Sequence, residues 1–198
     1  MSFVLERKIP SRFIGLSKIL QLINGEHRIT YFEDRLKAQK AIFLYQIMAE
    51  VDLGYYFKLD DFGPYSEELA DDYRDAFSIP DPELEGRVAS YQIGSDRIAA
   101  IEKIKILMEP SDEFEHFSSE FMKEHGDQVD LQMSSTALWL ELLTSYMAIY
   151  LELKERKFSS ERLLDETDLR LKKYKPQLDR AIPLVRNRAD EFRHAVNI

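Results

Sequence analysis

The sequence predicts a mainly α-helical protein. A winged-helix-like N-terminal unit over residues 1–93 carries a small β-hairpin or sheet, and a helical bundle takes residues 94–198, the two packed as one domain. Three observations lead there. Apolar residues recur at three- and four-residue spacing along most of the chain. Only 7 Gly and 7 Pro in 198 residues leave too few breakers for a turn-rich all-β architecture. One aromatic, strand-like run, Gly54 to Phe62, leads straight into a turn and then an acidic helix.

The elements follow in order. Ser11 to Ile23 reads as a helix, with Ser11 as its N-cap and Phe13, Leu16, Ile19, Leu20 and Ile23 on one face. Asn24-Gly25 stops it, since both tolerate positive φ. Thr30 caps the next helix, Tyr31 to Val51, with Glu33 placed to close a capping box. Leu36, Phe43 and Ile47 mark its apolar side, and Arg35, Lys37 and Lys40 give it a basic flank. Gly54 to Phe62 is expected as a strand with Tyr55, Phe57 and Leu59 on one face. Gly63-Pro64 then turns the chain into a helix reaching about Phe77, with Leu69, Tyr73 and Phe77 at four-residue spacing. Glu67, Glu68, Asp71 and Asp72 crowd the first turns, where the helix dipole favours carboxylates. They already occupy the end that would otherwise attract a phosphate.

Ser78 to Pro82 breaks that helix, and Pro80-Asp81-Pro82 is the best candidate hinge. Val88 to Ile93 is expected as a second strand pairing with the first. Ser95 or Asp96 caps a helix through Met108, and another helix runs from about Asp112 to His125, with a connector over Gln128 to Met133. Ser134 to Lys154 is apolar on nearly every side and is expected to be the central core helix. Ser160 to Tyr174 forms a helix that Pro176 ends. Leu178 to Ala195 forms the last, with Pro183 expected to kink or split it.

Composition narrows function more than it identifies it. The chain is 44% hydrophobic and 32% charged, and long enough for one substantial core. Without cysteine it has no disulfide framework, thiolate chemistry or Cys-based zinc site. The first ten residues lack the apolar run of a signal peptide, and no stretch approaches a membrane span, so a cytoplasmic location and no membrane partner are expected. The net charge of −9 opposes broad nucleic-acid binding. Charge is also uneven: residues 1–46 hold 8 Lys+Arg against 4 Asp+Glu, whereas residues 47–85 hold 2 against 12. An acidic face set against a basic one suits partner selection.

Chemical motifs are sparse. His27, His116, His125 and His194 show no metal-ligand spacing, although His116 and His125 lie amid Glu113, Glu115, Glu120 and Glu124. The chain contains no P-loop, dinucleotide fingerprint or GxSxG turn. No cofactor, metal ligand or catalytic residue is assigned.

One set of residues goes further. Arg35 to Gln46 (RLKAQKAIFLYQ), Gly54-Tyr55-Tyr56-Phe57 and Gly63-Pro64-Tyr65-Ser66-Glu67-Glu68-Leu69 resemble an uncharacterised prokaryotic family known as YwgA-like. Its pattern is a QK-x-I/L-x-L-Q helix, a Y-x-F strand and a GPYS-x-x-L turn. Weaker similarity continues around Leu138 to Tyr150 and Lys175-Pro176. More distantly the pattern is similar to the SocA/Panacea antitoxin group, whose members carry other residues where this chain has Tyr65-Ser66. The resemblance implies a mostly helical, winged-helix-like fold and transfers no activity.

It singles out Gln39, Lys40, Tyr65, Ser66 and Glu67 as candidate interaction residues. Their structural alternative is that Gln39 and Lys40 brace the turn while Tyr65 seals the core. The favoured functional reading is a non-enzymatic binding or regulatory module, with a protein partner and an antitoxin- or defence-related role. One alternative is a DNA-binding winged-helix regulator. Another is a metal-dependent enzyme in which several of Asp60, Asp61, Glu67, Asp71 and Glu120 converge. Monomer and homodimer, the latter through the apolar C-terminal helices, both remain open.

Overall fold

The computed structural model describes residues 9–25, 29–77, 81–125 and 133–196. Helix α1, Ser11–Asn24, starts after Pro10 rather than after a capping Ser11, and ends as expected at Gly25, whose φ of 78° lets its N–H reach the Gln21 carbonyl. Helix α2, Phe32–Met48, begins with a different acid from the one expected. Asp34, not Glu33, accepts from the backbone N–H groups of Thr30 and Tyr31. Glu33 instead accepts from the backbone and hydroxyl of Ser134, more than a hundred residues away. The N-cap is thus Tyr31, not Thr30; the local box closes through Asp34, and Glu33 is left to tie the N-termini of two helices.

The strand expected over Gly54 to Phe62 contracts to β1, Lys58–Asp60. Gly63-Pro64 does not turn the chain into a helix but belongs to β2, Gly63–Tyr65. The turn sits one step earlier, at Asp61-Phe62, and the strands pair antiparallel as Lys58 with Tyr65, Leu59 with Pro64 and Asp60 with Gly63. Tyr55, Phe57 and Leu59 do not share one buried face: Tyr55 is buried, Phe57 half-buried and Leu59 exposed. Tyr55 instead donates its hydroxyl to Asp72 at 3.0 Å, and Arg12 pairs with the same carboxylate at 3.0 Å.

Helix α3 spans Glu67–Phe77 and α4 Asp81–Ser90; of the expected hinge, Pro80 lies outside the described residues, and Asp81 and Pro82 belong to α4. The second strand expected over Val88 to Ile93 is absent, because Val88 lies inside α4. Leu84 and Val88, one turn apart, pack with Ile9, Phe13, Ile14 and Ala76 in a satellite cluster. Burial on that helical face outweighs the β preference of Val88. Pro82 sits in the first turn of α4, where its missing N–H costs nothing.

Helices α5, Ser95–Met108, and α6, Asp112–His125, lie where the spacing places them, although α5 starts after Gly94 and neither Ser95 nor Asp96 caps it; α7, Ser135–Glu155, is capped by the Ser134 hydroxyl. Most of the expected connector after α6 lies outside the described residues. Helix α8, Ser160–Tyr174, is followed by a 3-10 turn, Pro176–Ala181, and α9, Ile182–Val196. The segment expected as one helix from Leu178 is thus split next to Pro183, which sits in the first turn of α9.

Helix α7 is the hub, packing against α2, α5, α6, α8, α9 and β2. Its Leu140, Leu142, Leu143 and Leu153 are fully buried in a cluster that runs from Leu20 of α1 to Val185 of α9. Trp139 donates its ring N–H to the Leu107 carbonyl at 2.8 Å and meets Phe114 edge-on at 4.9 Å, locking α5 and α6 onto α7. No helix among the described residues is long and apolar enough to cross a membrane.

Two glycines give a contrast. Gly63 has a φ of 85°, and a Cβ there would lie 2.9 Å from Ser145 Oγ and 3.2 Å from both the Glu141 carbonyl and Lys40 Nζ. Gly86, inside α4, faces open space. We predict that Gly63→Ala lowers stability by about 2–4 kcal/mol, while Gly86→Ala raises it by about 0.5–1 kcal/mol. Equilibrium urea unfolding measures both; equal effects would contradict the close packing of β2 on α7.

Candidate functional site

Two adjacent residues of α2 hold the hairpin. Gln39 accepts from the Ser66 backbone N–H and donates to the Ser66 carbonyl, both at 2.9 Å, as a neighbouring strand would. Lys40 donates to the Pro64 carbonyl at 2.7 Å. Both side chains are 2% exposed, so these bonds are made out of water, where an unmet partner is costly. Pro64 lacks an N–H, and its carbonyl turns away from β1 toward α2. Ser66 then starts α3: its hydroxyl accepts from the Leu69 N–H at 3.3 Å and donates to Glu68 at 2.8 Å. That hydroxyl, before any other cause, holds the Glu68 carboxyl below its ordinary value.

A buried ion pair lies behind the hairpin. Glu141 of α7 and Lys175, just after α8, meet at 2.6 Å, with side chains 4% and 13% exposed. Lys175 also donates to the Asp61 carbonyl in the hairpin turn, and its ammonium lies 6.0 Å from the Phe62 ring centre and 4.9 Å from that of Tyr174. Burial raises the Glu141 carboxyl above its ordinary value, against the attraction of Lys175. Burial also pushes the Lys40 ammonium from 10.5 down to about 7; nearby Glu141 and Asp60 oppose this and Lys175 adds to it.

A cavity of about 650 Å³ opens beside this framework, between α2, the hairpin and α3. That is the size of an ordinary ligand site. Phe32, Phe62, Tyr65 and Tyr73 form much of its wall, with Phe32 and Phe62 edge-to-face at 5.3 Å. Leu36, Ile29 and Ala70 add apolar surface, and Gln39, Lys40 and Asp60 contribute the polar part. Arg35 and Arg74 also line it. Arg74 pairs with Asp71 at 2.9 Å. Arg35 is exposed and makes no ion pair among the described residues.

The structure therefore separates the five candidate residues. Gln39 and Lys40 brace the hairpin, and Ser66 joins the brace to α3. Tyr65 does not seal the core: it is 37% exposed and lines the cavity. Glu67 is exposed on the first turn of α3 and is not part of the cavity wall. Sequence reasoning passed over Phe32, Phe62 and Tyr73 as wall residues, and over the Glu141–Lys175 pair. A carboxylate inside the otherwise apolar run of α7 is the signal that could have found that pair.

The acidic convergence does not form. Among the described residues no three His, Asp or Glu side chains are grouped to hold a metal ion. Glu120 pairs with His116 and Arg180, and Asp71 with Arg74. The basic flank of α2 shrinks as well: Lys40 is buried, and Lys37 lies 3.8 Å from Glu33. Comparison of the chain with protein-family models, curated proteins and solved structures finds no match.

The titration of Lys40 is directly testable. The unfolded chain keeps this amine protonated up to its ordinary value of 10.5, whereas the folded protein releases the proton near pH 7. Between those values the unfolded state binds more protons, so the contribution of Lys40 to stability rises with pH. Relative to Lys40→Met, wild type should gain up to about 3 kcal/mol between pH 7 and about pH 9.5 in urea unfolding. A difference that stays flat across this window would contradict the neutral buried amine.

Proposed function

We propose that this protein is a non-enzymatic binding module that seats a segment of a partner protein in the cavity beside the hairpin. One observation carries the reading: an aromatic-walled recess of about 650 Å³ sits on a floor that α2 holds rigidly, with Tyr65 and Arg35 standing at its surface. Pre-formed apolar recesses with a few placed polar groups are what recognition needs, because little ordering remains to be done on binding. The amine of Lys40 is engaged by the Pro64 carbonyl, which favours a supporting role over a chemical one. The resemblance to YwgA-like proteins and, more distantly, to the SocA/Panacea antitoxins supports placing such a module in a defence or toxin–antitoxin-like setting. The exposed acids of α3, Glu67, Glu68 and Asp71, and the loss of Lys37 and Lys40 from the basic flank weigh against DNA as the partner.

Tyr65 tests the proposal, since it lines the cavity yet supports little of the core. The wild-type chain, expressed in its source cells, should retain a stoichiometric partner on purification. Tyr65→Ala should lose that partner while its melting temperature stays within about 2 °C of wild type, the range expected of a surface change. Retention of the partner by the variant would contradict the proposed site. A collapse in stability would instead make Tyr65 a structural residue.

A further inference from the structure

The cavity combines an apolar wall with an unusual charge for this chain. Net charge is −9, and residues 47–85, which supply the hairpin and α3, carry 2 cationic against 12 acidic side chains. The cavity nevertheless holds two guanidinium groups, Arg35 and Arg74, against one carboxylate, Asp60. These cations are not equivalent. Arg74 is paired with Asp71, and the buried amine of Lys40 is already engaged by the Pro64 carbonyl. Arg35 alone is exposed and without an ion pair among the described residues. It lies one turn before Gln39, so the same helix that clamps the hairpin fixes its root.

Resting on the partner-binding reading above, we infer that the cavity selects a protein segment in which an aromatic or aliphatic anchor stands beside a single carboxylate. The anchor fills the space among Phe32, Phe62, Tyr65 and Tyr73, and the carboxylate meets the guanidinium of Arg35. Arginine suits this task because its planar fork can hold both carboxylate oxygens. A single negative charge fits better than a doubly charged phosphate. Only one guanidinium is open, Asp60 also lines the cavity, and Asp71 already holds Arg74. Replacing Asp71 would release Arg74 and so strengthen the attraction.

Selection of random twelve-residue peptides against the full chain tests this, followed by fluorescence anisotropy on the enriched peptides. The enriched sequences should place Asp or Glu within three positions of an aromatic or aliphatic residue. Arg35→Gln should weaken their binding by about tenfold or more, the usual loss for a charge-assisted contact. Asp71→Asn should tighten it, and raising the salt from 50 to 300 mM should weaken it. Arg35 is exposed, so its replacement should leave the melting temperature unchanged.

Enriched peptides without a carboxylate, lost on Tyr65→Ala but indifferent to Arg35→Gln, would overturn this inference and leave the binding module standing. No enriched family, or binding that neither variant alters, would overturn both. Displacement of the peptides by free indole-3-acetate at equal affinity would make a small aromatic acid, not a protein segment, the occupant, and would overturn the inference as well.

Discussion

The reciprocal pair between Gln39 and Ser66 is the interaction on which the rest of this architecture depends. A hairpin of two three-residue strands cannot stand alone in water. Here one side chain replaces the missing third strand, accepting from the Ser66 N–H and donating to its carbonyl. Lys40 satisfies the next free carbonyl along, that of Pro64. Because Ser66 is also the residue from which α3 starts, the position of that helix follows from the same bonds. The cavity lies between α2, the hairpin and α3, so its shape is a consequence of this clamp.

The charges behind the hairpin raise a second question, that of cost. Burying Glu141, Lys175 and Lys40 together is expensive, and such groups seldom add net stability over an apolar replacement. What they supply is register. Lys175 reaches from the end of α8 to both Glu141 on α7 and the Asp61 carbonyl in the hairpin turn. Three segments far apart in sequence are thereby fixed at one point. Lys40 meets the same environment by yielding its proton near neutral pH, which is cheaper than keeping an unpaired ammonium out of water. Gly63 fits into this junction because any larger residue would strike Ser145, Glu141 or Lys40.

What the sequence made legible depended on how local the cause was. The helical spacing of α1, α5, α6, α7 and α8 was readable because each buries a face whose period is its own. The near-continuous apolar run of α7 likewise pointed to its place at the centre. Errors arose where a distant partner decided. Gly63-Pro64 has the chemistry of a turn, but side chains of α2 and the packing against α7 make it a strand. Val88 to Ile93 has β-branched residues, but burial against α1 draws Val88 into α4. Glu33 has the spacing of a capping box, but it caps nothing local and ties α2 to Ser134. Gln39, Lys40, Tyr65 and Ser66 were visible as a group through their motif. The motif held no information on which of them face inward, and that burial divides the clamp from the cavity wall.

Amide hydrogen exchange at Ser66 tests the clamp most directly. In wild type the Ser66 N–H should exchange as slowly as the buried amides of α7, because its acceptor is a buried side chain that opens only with the fold. In Gln39→Leu, which keeps the bulk and removes the acceptor, exchange at Ser66 should accelerate by about a hundredfold or more, while the α7 amides slow or quicken only with global stability. Rapid exchange at Ser66 in the wild-type protein, or an unchanged rate in the variant, would contradict the account in which one glutamine of α2 holds the hairpin in place.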